Sequence, residues 1–276
     1  MSTTAASAPK LRDSSSTVES SDPKLVWYLG YGSNMSSKVL SGRRNVHPVK
    51  AQPVIVPGYE LTFDMAGLPY WEPGFGTIQR VGEDNPSLEH MPLLRTNSSD
   101  TESAGTDLKK SSMLHCVAFL ITSQELDHII NTEGGSGNPE FGYRLVSIAC
   151  ETYGGERLVG KTLVNTQVLA TGLHPSPRYL DILIEGATEH SLAPEYICRL
   201  QSITPYTAKT PGQKLAKYLI LVLAFPAFVP TLAFALAALA FDVKTPRIIG
   251  TYNEWLSRAM WGAHNWVFAP IFGRGG

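Results

Sequence analysis

One glycine-rich turn carries residues that could bind an anion. An apolar run over 27–29 leads through Gly30 and Gly32 to Ser33 and Asn34, which are residue types that begin helices. A strand–turn–helix junction of this kind directs consecutive backbone N–H groups at one point, where they could bind a carboxylate or a developing oxyanion. The same residues also suit a turn with a purely conformational role. The turn alone leaves both interpretations open.

An anion-binding turn needs an acid–base partner, and Glu133 is the leading candidate. It follows a predicted helix directly, precedes Gly134 and Gly135, and lies between two apolar runs. A carboxylate placed there would be partly withdrawn from water and suited to general-base chemistry. The alternative is an exposed glutamate at a helix end, beside a flexible Gly-Gly pair. The rival carboxylates on sequence grounds are Glu72, Asp64 and Glu140.

The overall composition limits the classes of function. The 23 basic and 24 acidic residues nearly cancel, which removes any bulk-charge argument for a nucleic-acid partner. The three cysteines lie far apart and fit neither a disulfide framework nor a set of metal ligands, and the seven histidines show no zinc-type spacing. We therefore expect reduced cysteines, an intracellular location, no metal and no cofactor.

Apolar runs of strand length recur along the middle of the chain. The run 113–121 fits a buried central strand, and Gly154-Gly155 fits a hairpin turn. Residues 64–77 mix glycine and proline with aromatic side chains, which predicts a loop whose rings either face a ligand or pack on their own scaffold. The predicted strands are 27–29, 52–56, 59–63, 113–121, 143–151 and 156–168.

Three segments have helical character. A short helix over 36–40 follows the opening turn. The second helix begins at 122–125, with Ser123 as a possible cap, and ends at Asn131. The segment 175–203 predicts one helix or two, the second starting near Pro194, and the globular domain is expected to end at about 207.

The remaining segments are of three kinds. Residues 1–24 predict a disordered tail, and 82–112 an exposed, mobile insertion, because both are polar and poor in aromatic side chains. The segment 218–241 has 24 residues without a charge. As a helix it would be roughly 36 Å long, enough to cross a hydrocarbon core of about 30 Å. We predict that 208–276 is a membrane-anchor region, the alternative being a buried helical hairpin of a soluble domain.

Three motifs, taken together and in order, resemble the γ-glutamylcyclotransferase family. The first is the turn YLGYGSNM over 28–35, and the second is Glu133-Gly134 after a helix and before a tyrosine-containing strand. The third is PSPRY over 175–179, leading into IEGA over 184–187. The resemblance spans about 26–205 and is nearest to the fungal branch of gliotoxin-type epipolythiodioxopiperazine biosynthesis.

The resemblance implies a fold and a reaction. The fold would be α+β, a small mixed β-barrel or sheet with flanking helices over 25–207, followed by the C-terminal apolar helix. The reaction would cleave a γ-glutamyl amide, because the substrate's own α-amine attacks the γ-carbonyl and releases 5-oxoproline. The substrate would be a small γ-glutamyl compound, such as a glutathione conjugate. The catalytic domain would be cytoplasmic, and the oligomeric state stays open.

The resemblance also assigns roles to residues of this chain. Glu133 would be the base, the turn would hold the glutamyl carboxylate or the oxyanion, and Tyr179 would donate its hydroxyl proton. Two alternatives remain: a non-catalytic, membrane-anchored binding protein, and a γ-glutamylamine cyclotransferase that differs in the amine released. The expected substrate-binding residues are Tyr28, Leu29, Gly30, Tyr31, Gly32, Ser33 and Tyr179.

Overall fold

Five strands of the described chain close into a small barrel. The computed structural model describes residues 24–81, 113–133, 143–165, 169–170, 172–241 and 247–275. The barrel strands run in the order β1–β5–β2–β6–β7, and β7 closes it by pairing in parallel with β1. The fold predicted above, a small barrel with flanking helices and a C-terminal apolar helix, is confirmed. The strands are β1 Leu25–Gly30, β2 Lys50–Val56, β3 Tyr59–Leu68, β4 Glu72–Arg80, β5 Leu114–Thr122, β6 Tyr143–Thr152 and β7 Arg157–Asn165.

Strand β5 lies at the centre of the sheet, as its apolar sequence predicts. It pairs antiparallel with β1 on one side and with β2 on the other. Strands β6 and β7 form the predicted hairpin, and Gly155 takes a φ of +87° in its turn, a conformation that side chains disfavour. The predicted tail over 1–24, apart from Lys24, and the insertion over 82–112 lie outside the described residues.

The predicted loop over 64–77 is mostly strand. Strands β3 and β4 form a separate two-stranded antiparallel ribbon, with a register shift between Thr62 and Met65. Glycine and proline do not break this ribbon because Pro73 and Gly74 lie at the start of β4, where Gly74 forms an isolated bridge with Pro175. The ribbon is therefore separate from the barrel sheet and contacts the segment that contains Pro175.

Helix α1 (Ser123–Thr132) begins with a capping box. Its N-cap is Thr122 and not Ser123 as predicted. The Thr122 hydroxyl accepts a hydrogen bond from the Glu125 N–H at 3.2 Å, and the Glu125 carboxylate accepts one from the Thr122 N–H at 2.9 Å. Both residue types cap helices well, so the sequence alone could not choose between neighbouring positions.

We expect Thr122→Ala to destabilise the protein by about 1 kcal/mol, because it removes the cap and half of the capping box. The measurement is the free energy of unfolding in urea. Ser123→Ala is the control, since the Ser123 hydroxyl bonds to the exposed Lys24 carbonyl at the start of the described residues. Equal effects of the two substitutions would contradict this assignment of the cap.

Helices α2 (Pro177–Glu189) and α3 (Pro194–Ser202) confirm the prediction of two helices over 175–203. Ser176 caps α2 with a 3.1 Å bond from the Tyr179 N–H. Gly186 allows α2 to pack directly on the 3₁₀ turn Ser33–Met35, because a Cβ at Gly186 would lie 2.7 Å from Met35. Gly186 thus lets α2 pack closely against the chain that follows β1.

The C-terminal region forms two long helices that pack together. Helix α4 (Pro211–Phe241) contains the predicted apolar segment and keeps Pro226 and Pro230 within it. Its stretch Pro211–Phe234 is long and apolar enough to cross a membrane. Helix α5 (Arg247–Ala263) follows, then the turn His264–Phe268 and the short α6 (Ala269–Phe272). An apolar cluster separate from the barrel core, here called the second apolar cluster, joins these helices to Tyr70 of the ribbon and to Tyr206. Its buried members are Tyr70, Tyr206, Ala216, Ile220, Ala224, Met260, Trp261 and Phe268.

Candidate active site

A cavity of about 250 Å³ opens between the turn after β1, the ribbon and α2. It brings together residues that the sequence had singled out from three distant segments. The end of α1, the turn and the start of α2 all contribute to it. Six of the eight predicted site residues line this cavity, namely Tyr28, Tyr31, Gly32, Ser33, Glu133 and Tyr179.

The other two predicted residues, Leu29 and Gly30, do not line the cavity. Both lie in the ladder of β1, opposite Ala118 and Val117 of β5. The Leu29 side chain is buried in the core, and its carbonyl accepts a 2.7 Å hydrogen bond from the Thr162 hydroxyl. Leu29 and Gly30 hold the turn against the barrel, and Tyr31, Gly32 and Ser33 after them line the cavity.

Glu133 is held by the turn and by an arginine. It is the C-cap residue of α1, and its Oε1 accepts hydrogen bonds from Asn34 Nδ2 at 3.1 Å and from Arg44 at 2.5 Å. The side chains of Arg44 and Glu133 are only 16% and 19% exposed, so the ion pair is screened less than a surface pair. The carboxylate therefore faces the turn, and its arginine partner could not be identified from the sequence.

The second oxygen of this carboxylate is available to a ligand. Within the described part of the chain, both donors to Glu133 reach Oε1, and no hydrogen bond reaches Oε2. Glu133 also lies at the C-terminal end of α1, where the helix dipole is negative and favours a cation. An ammonium group would be stabilised here by the free oxygen and by the helix end.

Asn34 forms hydrogen bonds with Tyr28, Glu133 and Arg44. It is buried, donates through Nδ2 to Tyr28 (2.7 Å) and to Glu133, and accepts through Oδ1 from Arg44 Nε (2.8 Å). One amide therefore fixes the orientation of both partners of the ion pair. The sequence had assigned Asn34 only to the start of a helix.

We expect Asn34→Leu to lower turnover by up to about 100-fold, because a misplaced Glu133 would lose its alignment with the substrate. Each buried partner left without its bond should cost about 1–3 kcal/mol of stability. The measurements are kcat and the midpoint of thermal unfolding. Gln52→Leu is the matched control, since its partly buried amide nitrogen has no partner in the described structure. An Asn34→Leu variant with unchanged turnover would contradict the positioning role.

Tyr179 brings a hydroxyl proton to the cavity. The Gly76 N–H donates to its oxygen at 3.0 Å, and the Ser33 N–H faces the same oxygen. Burial raises the pKa of Tyr179 to about 12, although these two N–H groups act in the opposite direction. Tyr179 is thus neutral at physiological pH, and its oxygen is engaged as an acceptor. Its single proton can therefore be donated to a ligand.

Three further tyrosines surround the cavity and stay protonated. Burial raises the pKa of Tyr28, Tyr31 and Tyr143, and the charge of Glu133 adds to the effect in each case. The Tyr31 hydroxyl donates to the Leu163 carbonyl at 2.6 Å, and the Tyr143 hydroxyl contacts the Met65 sulfur. These neutral hydroxyls make a polar wall whose only nearby carboxylate among the cavity-lining residues is Glu133.

The rival carboxylates lie elsewhere. Glu72 accepts from Ser176 at 3.0 Å and forms a bidentate pair with Arg178, so it ties the ribbon to the start of α2. Asp64 is buried in the ribbon, burial raises its pKa, and it does not line the cavity. Glu140 lies outside the described residues. Glu133 is therefore the carboxylate that the structure brings to the turn.

Two arginines contribute positive charge to the same cavity. Arg178 lies at the start of α2 with an exposed side chain, and Arg43 lies at the end of the helical turn Lys38–Arg43. Arg43 is exposed and makes no ion pair with any described residue. Arg178 lies in the PSPRY motif, but nothing in the sequence assigned Arg178 or Arg43 to the cavity. Met65, Phe75 and Gly76 come from the segment 64–77, whose rings were predicted to face a ligand or to pack on their own scaffold. The cavity-lining residues to which the sequence assigned no site role are Asn34, Arg43, Tyr143, Leu163, Arg178 and Ile182.

Comparison of the sequence with known proteins finds fungal relatives. The chain is 28% identical to the gamma-glutamyl cyclotransferase aclK of Aspergillus oryzae over 267 residues, covering 91% of this chain and 90% of that protein. It is 26% identical to the gamma-glutamyl cyclotransferase gliK of Aspergillus fumigatus, covering 91% of this chain and 89% of that one. Against the gliK protein of Claviceps purpurea it is 26% identical, covering 87% and 99%. No family model matches the chain.

Solved structures give more distant matches. A gamma-glutamyl cyclotransferase structure is 18% identical, with 71% of this chain and 99% of that chain covered and a TM-score of 0.46. An uncharacterised human protein is 20% identical, with 70% and 98% covered and a TM-score of 0.47. The sequence relatives confirm the resemblance predicted above: the chain is similar over about nine tenths of its length to fungal γ-glutamyl cyclotransferases.

Proposed function

We propose that this protein is a γ-glutamylcyclotransferase and that its reaction takes place in the cavity beside the turn. The α-amine of the substrate attacks its own γ-carbonyl carbon, the five-membered lactam forms, and the C–N bond to the leaving amine breaks. Of the two protons that the ammonium nitrogen gives up, one goes to the departing nitrogen. The other protonates the released amine or solvent. No water is consumed, and no enzyme nucleophile is needed.

The observation that carries this proposal is the position of Glu133. Glu133 lines the cavity, Arg44 and Asn34 hold its Oε1, and its Oε2 accepts no hydrogen bond from the described residues. Glu133 would take a proton from the α-ammonium and return it to the leaving nitrogen, which is general acid–base catalysis by one group. The ion pair with Arg44 holds the carboxylate in a defined position beside the cavity.

Tyr179 and the turn would bind the oxygen that becomes negative. The hydroxyl of Tyr179 is held by backbone N–H groups and can donate only its own proton. Donors fixed in advance at the position of the oxyanion stabilise the transition state more than the ground state. Holding the substrate folded back on itself supplies a further gain, up to about 7–11 kcal/mol in the best intramolecular reactions.

The charges of the cavity suit a glutamyl group. The α-ammonium would lie against Glu133 and the end of α1. The α-carboxylate would pair with Arg43, since Arg178 already forms a bidentate pair with Glu72. The cavity, at about 250 Å³, is smaller than the roughly 300–1,000 Å³ of drug-sized sites, so it would admit the glutamyl end and leave the amine outside. The released portion is therefore the less restricted part of the substrate.

For the substrate class, we propose a glutathione-derived conjugate of fungal secondary metabolism of the gliotoxin type. The support is the similarity to the two gliK proteins and the open side of the cavity. A γ-glutamylamine differs from such a conjugate only in the amine released. Competition between a glutathione S-conjugate and a γ-glutamyl-lysine isopeptide would separate the two substrates.

The test is an assay for 5-oxoproline with γ-glutamyl-alanine, glutathione and a glutathione S-conjugate. We expect 5-oxoproline and the free amine in equal amounts, with the S-conjugate as the best substrate. Binding of these compounds without product would instead support the non-catalytic alternative. Absence of both binding and product would contradict the proposal.

We also propose that the chain associates with an intracellular membrane through 218–241. The support is the length and composition of α4. The catalytic barrel would then face the cytoplasm.

A further inference from the structure

Helix α4 carries apolar side chains on most of its faces. One stripe, formed by Ala216, Ile220 and Ala224, is buried against the second apolar cluster. Outside this stripe, large apolar side chains on several faces are exposed, and Val222, Leu223 and Phe225 are each 67–70% exposed. A protein partner would cover one face, whereas a helix that is apolar nearly all round is typical of a lipid environment. The surface therefore favours a bilayer as its occupant.

The chain after α4 folds back along it. Thr231 donates to Asn253 at 2.6 Å, and the Tyr252 hydroxyl donates to the Ala227 carbonyl at 2.6 Å. Further down, Ala224 and Ala216 of α4 share a cluster with Met260 and Phe268. Residues later in α4 thus meet residues earlier in the following segment, so the two helices form an antiparallel hairpin.

Both ends of this hairpin meet at the catalytic domain. At its base, a Cβ on Gly212 would lie 3.2 Å from the Phe272 ring, near the last described residues. The Gly273 carbonyl accepts a 2.7 Å hydrogen bond from Tyr70 at the tip of the ribbon. The Trp261 indole donates to the Gly67 carbonyl of the same ribbon at 2.9 Å. The last described residues are therefore attached to the domain from which α4 departs.

Asn253 and Glu254 of α5 are paired within the hairpin. Asn253 is bonded to Thr231, and Glu254 forms an i,i+4 ion pair with Arg258. The Glu254 side chain is only 10% exposed, so the hairpin itself shields this carboxylate. Pairing inside the hairpin lowers the cost of bringing α5 next to lipid.

We infer that the C-terminal region is a helical hairpin inserted into the membrane from one side, with its start and its C-terminus both on the side of the catalytic cavity. A tail anchor of one span would require the end of the chain to lie on the opposite side. That arrangement would break the contacts of Tyr70, Trp261 and Phe272 at the base. The inference rests on the proposed membrane association and changes its topology.

The hairpin also connects the membrane to the wall of the cavity. The ribbon that binds Trp261 and Gly273 carries Met65, Phe75 and Gly76 into the cavity on its other part. Lys217 at the start of the apolar stretch lies 4.1 Å from the centre of the Trp71 ring. The catalytic barrel is thus held directly at the membrane surface and not at the end of a flexible linker.

The first experiment measures membrane binding of the full chain. We expect the protein to float with phosphatidylcholine–phosphatidylserine vesicles, and Leu223→Asp with Phe225→Asp to reduce the floating fraction at least about tenfold, because charges on this face are costly in lipid. The matched control is Val49→Asp with Val159→Asp, which alters side chains of the same exposure, 67% and 66%, on the barrel side. A soluble dimer that does not float would overturn both the association and the hairpin.

The second experiment measures which side the C-terminus occupies. Cys198 is exposed on α3, whereas Cys116 and Cys150 are buried, so Cys198 reports the catalytic side. Arg274→Cys in a Cys198→Ser background reports the C-terminus. In sealed membranes from cells expressing the full chain, an impermeant maleimide should label both positions equally, with or without detergent. Opposite labelling of the two positions would overturn the hairpin and leave the membrane association and the 5-oxoproline assay unaffected.

Discussion

Glu133→Gln is expected to lower 5-oxoproline formation by about 100- to 10,000-fold, the range that general acid–base catalysis supplies. A glutamine can still accept a hydrogen bond through its oxygen, so Asn34 and Arg44 keep part of their contacts. It cannot take the proton of the α-ammonium. The loss should appear in kcat, measured on a saturating γ-glutamyl substrate.

The control for this variant is Glu185→Gln. Glu185 is also a glutamate paired with a cation, Lys38, but it is 45% exposed on the outer side of α2. Exposed ion pairs contribute little, so its removal should leave kcat unchanged. A Glu133→Gln enzyme with normal turnover would show that another group moves the proton.

Tyr179→Phe is expected to lower kcat by about 100- to 1,000-fold, the usual effect of losing one oxyanion donor. The ring and its edge-on contact with Phe75 remain, at 5.1 Å between centroids, so the packing of α2 should survive. The Gly76 N–H loses its acceptor, which should cost about 1–3 kcal/mol of stability. Turnover and unfolding are therefore measured on the same preparations.

Tyr196→Phe is the control that distinguishes loss of a catalytic hydroxyl from a general effect on core packing. Tyr196 is a buried tyrosine of α3, and its hydroxyl has no hydrogen-bond partner in the described structure. Removing that hydroxyl should leave kcat unchanged and stability equal or higher. Equal loss of turnover in the two variants would mean that the effect of Tyr179→Phe comes from the core and not from the cavity.

The elements of the barrel could be predicted from the sequence because they follow local rules. The apolar run that became β5, the Gly154-Gly155 turn and the proline-started helices α2 and α3 all appear where the patterns indicate. The partners of each strand could not be predicted in this way. Pairing β1 with β7 and placing β5 between β1 and β2 depends on contacts between residues far apart in the chain.

The ribbon shows why composition misled at one place. Glycine and proline over 64–77 predict a loop, but Gly67, Gly74 and Gly76 serve close approaches in β3 and β4. A Cβ at Gly76 would lie 3.0 Å from the Tyr179 hydroxyl, and one at Gly74 would lie 2.8 Å from the Phe63 carbonyl. These glycines are required by neighbours from other segments, which no local pattern shows.

The candidate site was predictable only in part, because some of its residues lie in motifs and others do not. Glu133, Tyr179 and the turn stood out through motif order, and the structure brings them to one cavity. Arg44 and Asn34 were not identified, because an arginine in a polar stretch and an asparagine at a helix start have ordinary local explanations. Their roles arise from a network between α1 and the turn.

The most direct test of the proposed intramolecular cyclisation measures whether oxygen from water enters the product. The protein is incubated with a γ-glutamyl amide in H₂¹⁸O, and the product is analysed by mass spectrometry. Intramolecular cyclisation predicts 5-oxoproline without ¹⁸O, formed in equal amounts with the released amine. Free glutamate carrying ¹⁸O would show that water attacks the γ-carbonyl, and it would contradict the proposed mechanism.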